Sequence, residues 1–121
     1  MTLWAWVALA LVGGAGAVAR FLIDGAVSAG RKAEFPLGTL LVNLSGAFAL
    51  GVLTGAGVAR TWLFVVGTGF IGSFTTFSTW MFETARLAED GEDAVALANL
   101  GVGIVAGLLA AGGGFAIGAL L

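Results

Sequence analysis

Four long apolar runs, separated by short polar connections, leave this chain few ways to fold. A helix that crosses a bilayer needs roughly 20 mostly apolar residues. The runs at residues 3–23, 37–58, 62–82 and 94–121 all qualify. A soluble domain of 121 residues needs a polar exterior, and a chain that is 60% hydrophobic and only 10% charged cannot build one. Mean hydropathy is +1.08. The predicted class is therefore an all-α membrane protein, residues 1–121 forming one four-helix transmembrane domain. The first run lacks a basic leader and outruns signal-peptide length, so it is expected to be retained. No appended soluble domain is expected.

The third run is unlike the others. Gly67 to Glu83 reads GTGFIGSFTTFSTWMFE, with Thr68, Ser73, Thr75, Thr76, Ser78 and Thr79 set among Gly67, Gly69 and Gly72. Hydrocarbon supplies no hydrogen-bond partners, so irregular backbone survives there only when buried in protein or lining a wet cavity. A broken third helix on an ion pathway is the reading that follows. Unwound carbonyls can coordinate a cation, and half-helix N-termini favour anions. A kink closed by hydroxyl-to-backbone bonds would explain the same residues.

The ends and connections are consistent with spanning helices. Trp4 and Trp6 stand where interfacial aromatics are expected. Pro36 suits the first turn of the second helix. The connections are Gly30-Arg31-Lys32-Ala33-Glu34, Ala59-Arg60-Thr61 and the mainly acidic stretch 84–93. The pairs Gly51/Gly55, Gly103/Gly107 and Gly114/Gly118 have the spacing of close helix contacts. With four spans, Arg31, Lys32 and Arg86, with Arg20 near the edge, share one side, and Arg60 stands alone on the other. The positive-inside rule puts the termini outside.

Several polar side chains fall within the spans. Thr39 and Asn43 are one turn apart on one face of the second helix. Asn43 can act as interhelical glue or as a donor to a passing anion. Arg20 can snorkel to the interface or draw anions to a pore mouth. Glu83 can face water or pair with a base such as Arg20. Phe77 and Trp80 share a face beside the break; they can be packing, or can turn positive ring edges toward an ion. With no cysteine and no histidine, thiolate sites, disulfides and the usual proton shuttle are absent. No enzymatic activity and no nucleic-acid partner are expected.

Together these residues resemble the Fluc (CrcB) family of fluoride channels. The motifs that carry the likeness are FPLGTLLVN, residues 35–43, and Gly69-Phe70-Ile71-Gly72 followed by Thr75-Thr76-Phe77-Ser78-Thr79, with Gly16-x3-Arg20 in the first span. The resemblance implies an antiparallel, dual-topology-type dimer with two pores, passing fluoride passively out of the cell across the bacterial inner membrane and so limiting its toxicity. It implies a structural sodium ion at the dimer centre, held by the carbonyls of Gly72 and Thr75 from both subunits. It places Thr39, Asn43, Phe77, Ser78, Thr79 and Trp80 on the anion path and Arg20 at a vestibule.

The chain departs from the family pattern twice. Trp80 replaces a second phenylalanine, and Asn99 and Gly103 stand where a tyrosine and a serine are usual. These changes fit either a homodimer with altered pores or a heterodimer with a paired homologous subunit. Two other classes remain: a small four-helix proton-coupled drug-efflux transporter, and a non-transporting assembly factor. The former usually keeps an acidic residue within its first helix, and residues 3–22 contain none.

Overall fold

The computed structural model describes residues 1–31 and 35–121. Lys32, Ala33 and Glu34 of the expected polar connection lie outside them. The described residues are helical, without strands. Helix α1 is Leu3–Ser28, α2 is Leu37–Gly55, and α3 denotes the helical run 60–74. Helix α4 is Phe77–Glu89 and α5 is Asp93–Ala119. Three of them, α1, α2 and α5, are long and apolar enough to cross a membrane.

Several boundaries differ from expectation. Helix α1 continues past residue 23, which puts Asp24 and Ser28 on one helical face, where Ser28 Oγ donates to Asp24 Oδ1 at 3.3 Å. Helix α2 stops at Gly55 rather than near residue 58. The stretch 84–93, expected as a loop, is mostly helix. Leu87 is buried there, and its packing holds α4 helical as far as Glu89. Gly91, at φ +80°, then ends the helix. Its N–H bonds Ala88 O while Glu92 N bonds Leu87 O, the paired closure that a left-handed residue permits.

The third run is two helices. In α3, residues Leu63–Ile71 form a π-helix, a wide winding seldom sustained for nine residues. Thr75 (φ −80°, ψ 159°) and Thr76 (φ −147°, ψ 120°) are extended, and α4 starts at Phe77. The gap thus falls on the threonines. Gly67 and Gly69, which precede it, are helical and serve packing. A Cβ at Gly69 would lie 3.0 Å from a Val12 methyl and 3.2 Å from Leu9 O, and one at Gly67 would lie 3.3 Å from Leu50.

The closest packing joins α2 to α5. A Cβ at Gly51 would lie 2.2 Å from Ala111 O, and one at Gly55 would lie 2.1 Å from Phe115 O. Conversely, Gly114 faces Phe48 O and Gly118 faces Val52 O, each at 2.2 Å from the added carbon. Real Cβ atoms do not approach backbone so closely, so four glycines set the separation of this pair. Gly16 does the same for α1, which rests on Phe70 O of α3. Of the third expected pair, Gly103 is a contact and Gly107 meets nothing within 4 Å.

Most large apolar side chains point outward; Leu3, Phe21, Leu97, Leu108 and Leu109 are among the most exposed. In water this would be costly at about 25 cal/mol per Å². In a bilayer it is the expected surface. At one end Trp4 packs against Trp62 (centroids 6.1 Å apart) and Trp6 stands edge-on to Phe64 (5.2 Å, 81°), an aromatic cluster of the kind found at an interface.

Candidate functional site

The interruption at Thr75–Thr76 organises the site. A helix leaves its last four carbonyls without intrahelical partners. At the end of α3 the N–H of Thr75 still reaches Ile71 O (2.9 Å). The next N–H, that of Thr76, would ordinarily serve Gly72, yet it donates to Asn43 Oδ1 at 2.8 Å. Asn43 Nδ2 donates in return to Thr76 O at 2.9 Å. One primary amide thus meets both polar groups of a single extended residue, as a neighbouring strand would. An amide of this kind lost in hydrocarbon costs about 2–7 kcal/mol, so the reciprocal pair accounts for Asn43 lying within a span. Its second amide hydrogen remains for another acceptor.

Thr76 is the hub, and the sequence reading did not single it out. Its hydroxyl accepts from the N–H of Thr79 (3.2 Å), capping α4, and donates to Thr79 Oγ1 (3.1 Å), with Ser78 Oγ 3.4 Å away. The signal was present: a threonine immediately before an apolar helical run is an N-cap pattern. Thr75 turns its own hydroxyl back to Ile71 O (3.0 Å), and Gly46 of α2 leaves room for its methyl group.

Two cavities flank the gap. One, of about 140 Å³, is lined by Arg20, Asp24, Thr39, Val42, Thr76 and Thr79, among others. Arg20 Nε is buried there without a hydrogen-bond partner. The other, of about 320 Å³, lies between α2 and α5 and includes Asn43, Gly46, Thr75, Trp80 and Gly103 in its wall. Asn43 borders one cavity and its partner Thr76 the other. Phe77 is 70% exposed at the start of α4, with its ring edge-on to Trp80 at 5.7 Å. Ser78 is exposed beside it.

Thr39, nearly fully buried, donates its hydroxyl to Glu83. Of the two expectations for Glu83, water or a base, neither describes this bond. Arg31, Glu83, Arg86 and Asp90 meet around a cavity of about 400 Å³ at this end. Arg31 and Arg86 therefore lie together, as the charge count assumed.

Trp80 is engaged more fully than a packing aromatic would be. Its indole N–H donates to Asn99 O at 3.0 Å. Asn99, 1% exposed, donates to Thr84 Oγ1 at 2.8 Å, and Thr84 donates to Trp80 O at 2.8 Å. Thr84 carried no signal beyond its i+4 spacing from Trp80.

As for ions, no cluster of three or more acidic or other side-chain ligands occurs among the described residues. The gap itself offers main-chain and hydroxyl oxygens, and Asp24 stands in the wall of the smaller cavity beside it. Gly72 and Thr75 both belong to the end of α3 where helix geometry strips carbonyls of partners. That donor chemistry suits a hard alkali ion.

Described residues whose regular structure is all helical, with three helices long and apolar enough to cross a membrane, define a multi-pass membrane protein, and in it a half-buried amide clamps a hydroxyl-rich gap. The family model for CrcB-like protein, Camphor Resistance (CrcB), matches residues 7–115, and the chain belongs to that family. The chain is 52% identical over 110 residues to "Fluoride-specific ion channel FluC 2" of Mycolicibacterium paratuberculosis, covering 91% of this chain and 90% of that protein. It is 48% identical over 111 residues to a protein of the same name in Mycobacterium tuberculosis, covering 92% and 88%. It is 44% identical over 120 residues to "Fluoride-specific ion channel FluC 1" of Symbiobacterium thermophilum, covering 93% and 96%. These names describe channels and lend nothing to the drug-efflux alternative.

Proposed function

We propose that this chain is a fluoride-specific channel of the bacterial cell membrane, passing the ion passively out of the cell and so reducing its toxicity. The observation that carries the reading is the Asn43–Thr76 clamp. It holds an interrupted helix open between two cavities, a small one lined by Arg20, Asp24 and hydroxyls and a larger, mainly apolar one bordered by Asn43 and Thr75, in a chain half identical to named fluoride channels. In this reading α3 and α4 together make the third of four crossings, interrupted in the membrane. Arg20 concentrates anions at a vestibule. Thr39, Ser78 and Thr79 line the polar track, Asn43 donates its remaining amide hydrogen, and Phe77 and Trp80 flank the passage. Fluoride is small enough to be gripped by such donors, and so recovers the hydration it sheds.

The working unit is an antiparallel dimer. The carbonyls of Gly72 and Thr75 offer two oxygens per subunit, too few for an alkali ion, so a second subunit would complete the set. Sodium there would offset the bare carbonyl dipoles and join the subunits. The partner is a second copy or a paired homologous subunit. The numbering of relatives as FluC 1 and FluC 2 is consistent with pairs.

Fluoride efflux from proteoliposomes, followed with a fluoride electrode, is the test. The expected result is rapid fluoride loss with chloride retained. Equal chloride flux would reject the selectivity. Transport abolished by collapsing a proton gradient would indicate coupled efflux instead.

A further inference from the structure

The indole of Trp80 and the bare backbone at Gly103 behave as one part. A Cβ on Gly103 would lie 2.6 Å from Trp80 Cζ2, 2.7 Å from Cε2 and 2.8 Å from Nε1. These are ring atoms of a side chain whose N–H is already tied to Asn99 O, so the ring cannot swing away without losing that bond. Behind it, the buried Asn99 amide and the Thr84 hydroxyl close the chain of bonds onto Trp80's own carbonyl. The ring therefore lies against α5 where any side chain at 103 would stand. Its other surroundings include Asn43, Leu44 and Thr75, which border the same cavity.

We infer that Trp80 is a specificity-determining wall: seated on Gly103 and pinned through Asn99, it sets the width of the passage beside Asn43. Because its N–H is spent on α5, it presents hydrocarbon to the passage and no donor. Residues 80 and 103 are then coupled. A tryptophan at 80 requires glycine at 103, and a smaller aromatic at 80 leaves room for a side chain at 103. The flux part of this inference rests on the fluoride reading; the coupling itself does not.

The experiment is a double-mutant cycle of Trp80→Phe, Gly103→Ala and both together, read in two ways. In proteoliposomes, Gly103→Ala alone should cut fluoride efflux about tenfold, since its methyl displaces the ring into the passage, the middle of the range for coupled contacts. Trp80→Phe alone should raise chloride leak relative to fluoride, and the double variant should recover most of the fluoride flux. In detergent, thermal unfolding of the same four proteins should be non-additive, with the double variant more stable than Gly103→Ala. A Gly103→Ala protein that misfolds but is rescued by Trp80→Phe gives the same support. Wild-type flux in Gly103→Ala, or a double variant no better than Gly103→Ala in flux and in unfolding, overturns the inference. Absence of fluoride flux in the unaltered protein would sink the channel reading alone, because the unfolding cycle still reports the coupling.

Discussion

The seam between α2 and α5 and the gap at Thr75–Thr76 are built by opposite means. In the seam, Gly51, Gly55, Gly114 and Gly118 remove side chains so that backbone meets backbone. Nothing polar is exchanged; the gain is dispersion, many small contacts at close range. At the gap the backbone has left its helix, and side chains replace the lost partners: Asn43 for the main chain of Thr76, and Thr76 for the N–H of Thr79. The seam needs small residues and tolerates no additions. The gap needs particular donors and acceptors and tolerates no deletions. At Gly51, Gly55, Gly114 and Gly118 the seam leaves no room for a side chain, whereas the gap keeps unspent polar groups, the second amide hydrogen of Asn43 among them.

Substitutions can break this contrast, and the largest effect belongs to the seam. Gly114→Leu would drive a side chain into Phe48 O and should abolish a monodisperse protein on size-exclusion chromatography. Gly107→Ala on the same helix, with open space around it, should elute and melt as the unaltered protein does. Equal behaviour of the two would refute the seam as a close-packed contact.

Asn43→Ala comes next. It leaves the N–H and C=O of Thr76 unpaired, at about 1–3 kcal/mol each if they stay buried. The melting temperature should fall by several degrees and fluoride efflux by at least an order of magnitude. Asn43→Asp sharpens the point, since a carboxylate can accept from Thr76 but cannot donate to its carbonyl. It should rescue part of the stability and none of the flux.

Thr76→Val should cost about 1 kcal/mol, the usual loss on removing a helix N-cap, with Thr76→Ser close to unchanged. A chemical-denaturation midpoint shared by Val and Ser variants would argue against the cap. The smallest effect is expected at Thr39→Val, which removes the bond to Glu83. Polar bonds between membrane helices average about 0.6 kcal/mol, so stability should hardly move. If Thr39 lines the anion path, efflux should fall several-fold nonetheless, and unchanged efflux would take it off that path.

What could be read from the chain varied with the kind of force involved. Three of the four expected spans are single helices within a few residues of their expected ends. Hydropathy acts on each segment separately, so no knowledge of neighbours is needed. The seam glycines were legible for the same reason, because their spacing puts them on one face. Within the run that carries the expected break, the extended residues are Thr75 and Thr76. Gly67 and Gly69 are helical because their missing side chains admit Leu50, Leu9 and Val12, a use of glycine that sequence does not distinguish from helix breaking. The stretch 84–93, expected as a loop for its charges, is helical to Glu89 because Leu87 is buried, and that burial depends on the helices around it.

By itself, then, the sequence determined that the chain lives in a bilayer, where helices cross it, and that one crossing carries polar groups that hydrocarbon cannot satisfy. Only the tertiary structure decided which partner each group finds. Asn43 meets Thr76 across 33 residues, Thr39 meets Glu83 across 44, and Trp80 meets Asn99 across 19. Each pairing depends on how far two helices are rotated and slid against each other. That is set by the packing of whole faces and leaves no mark in the local order of residues.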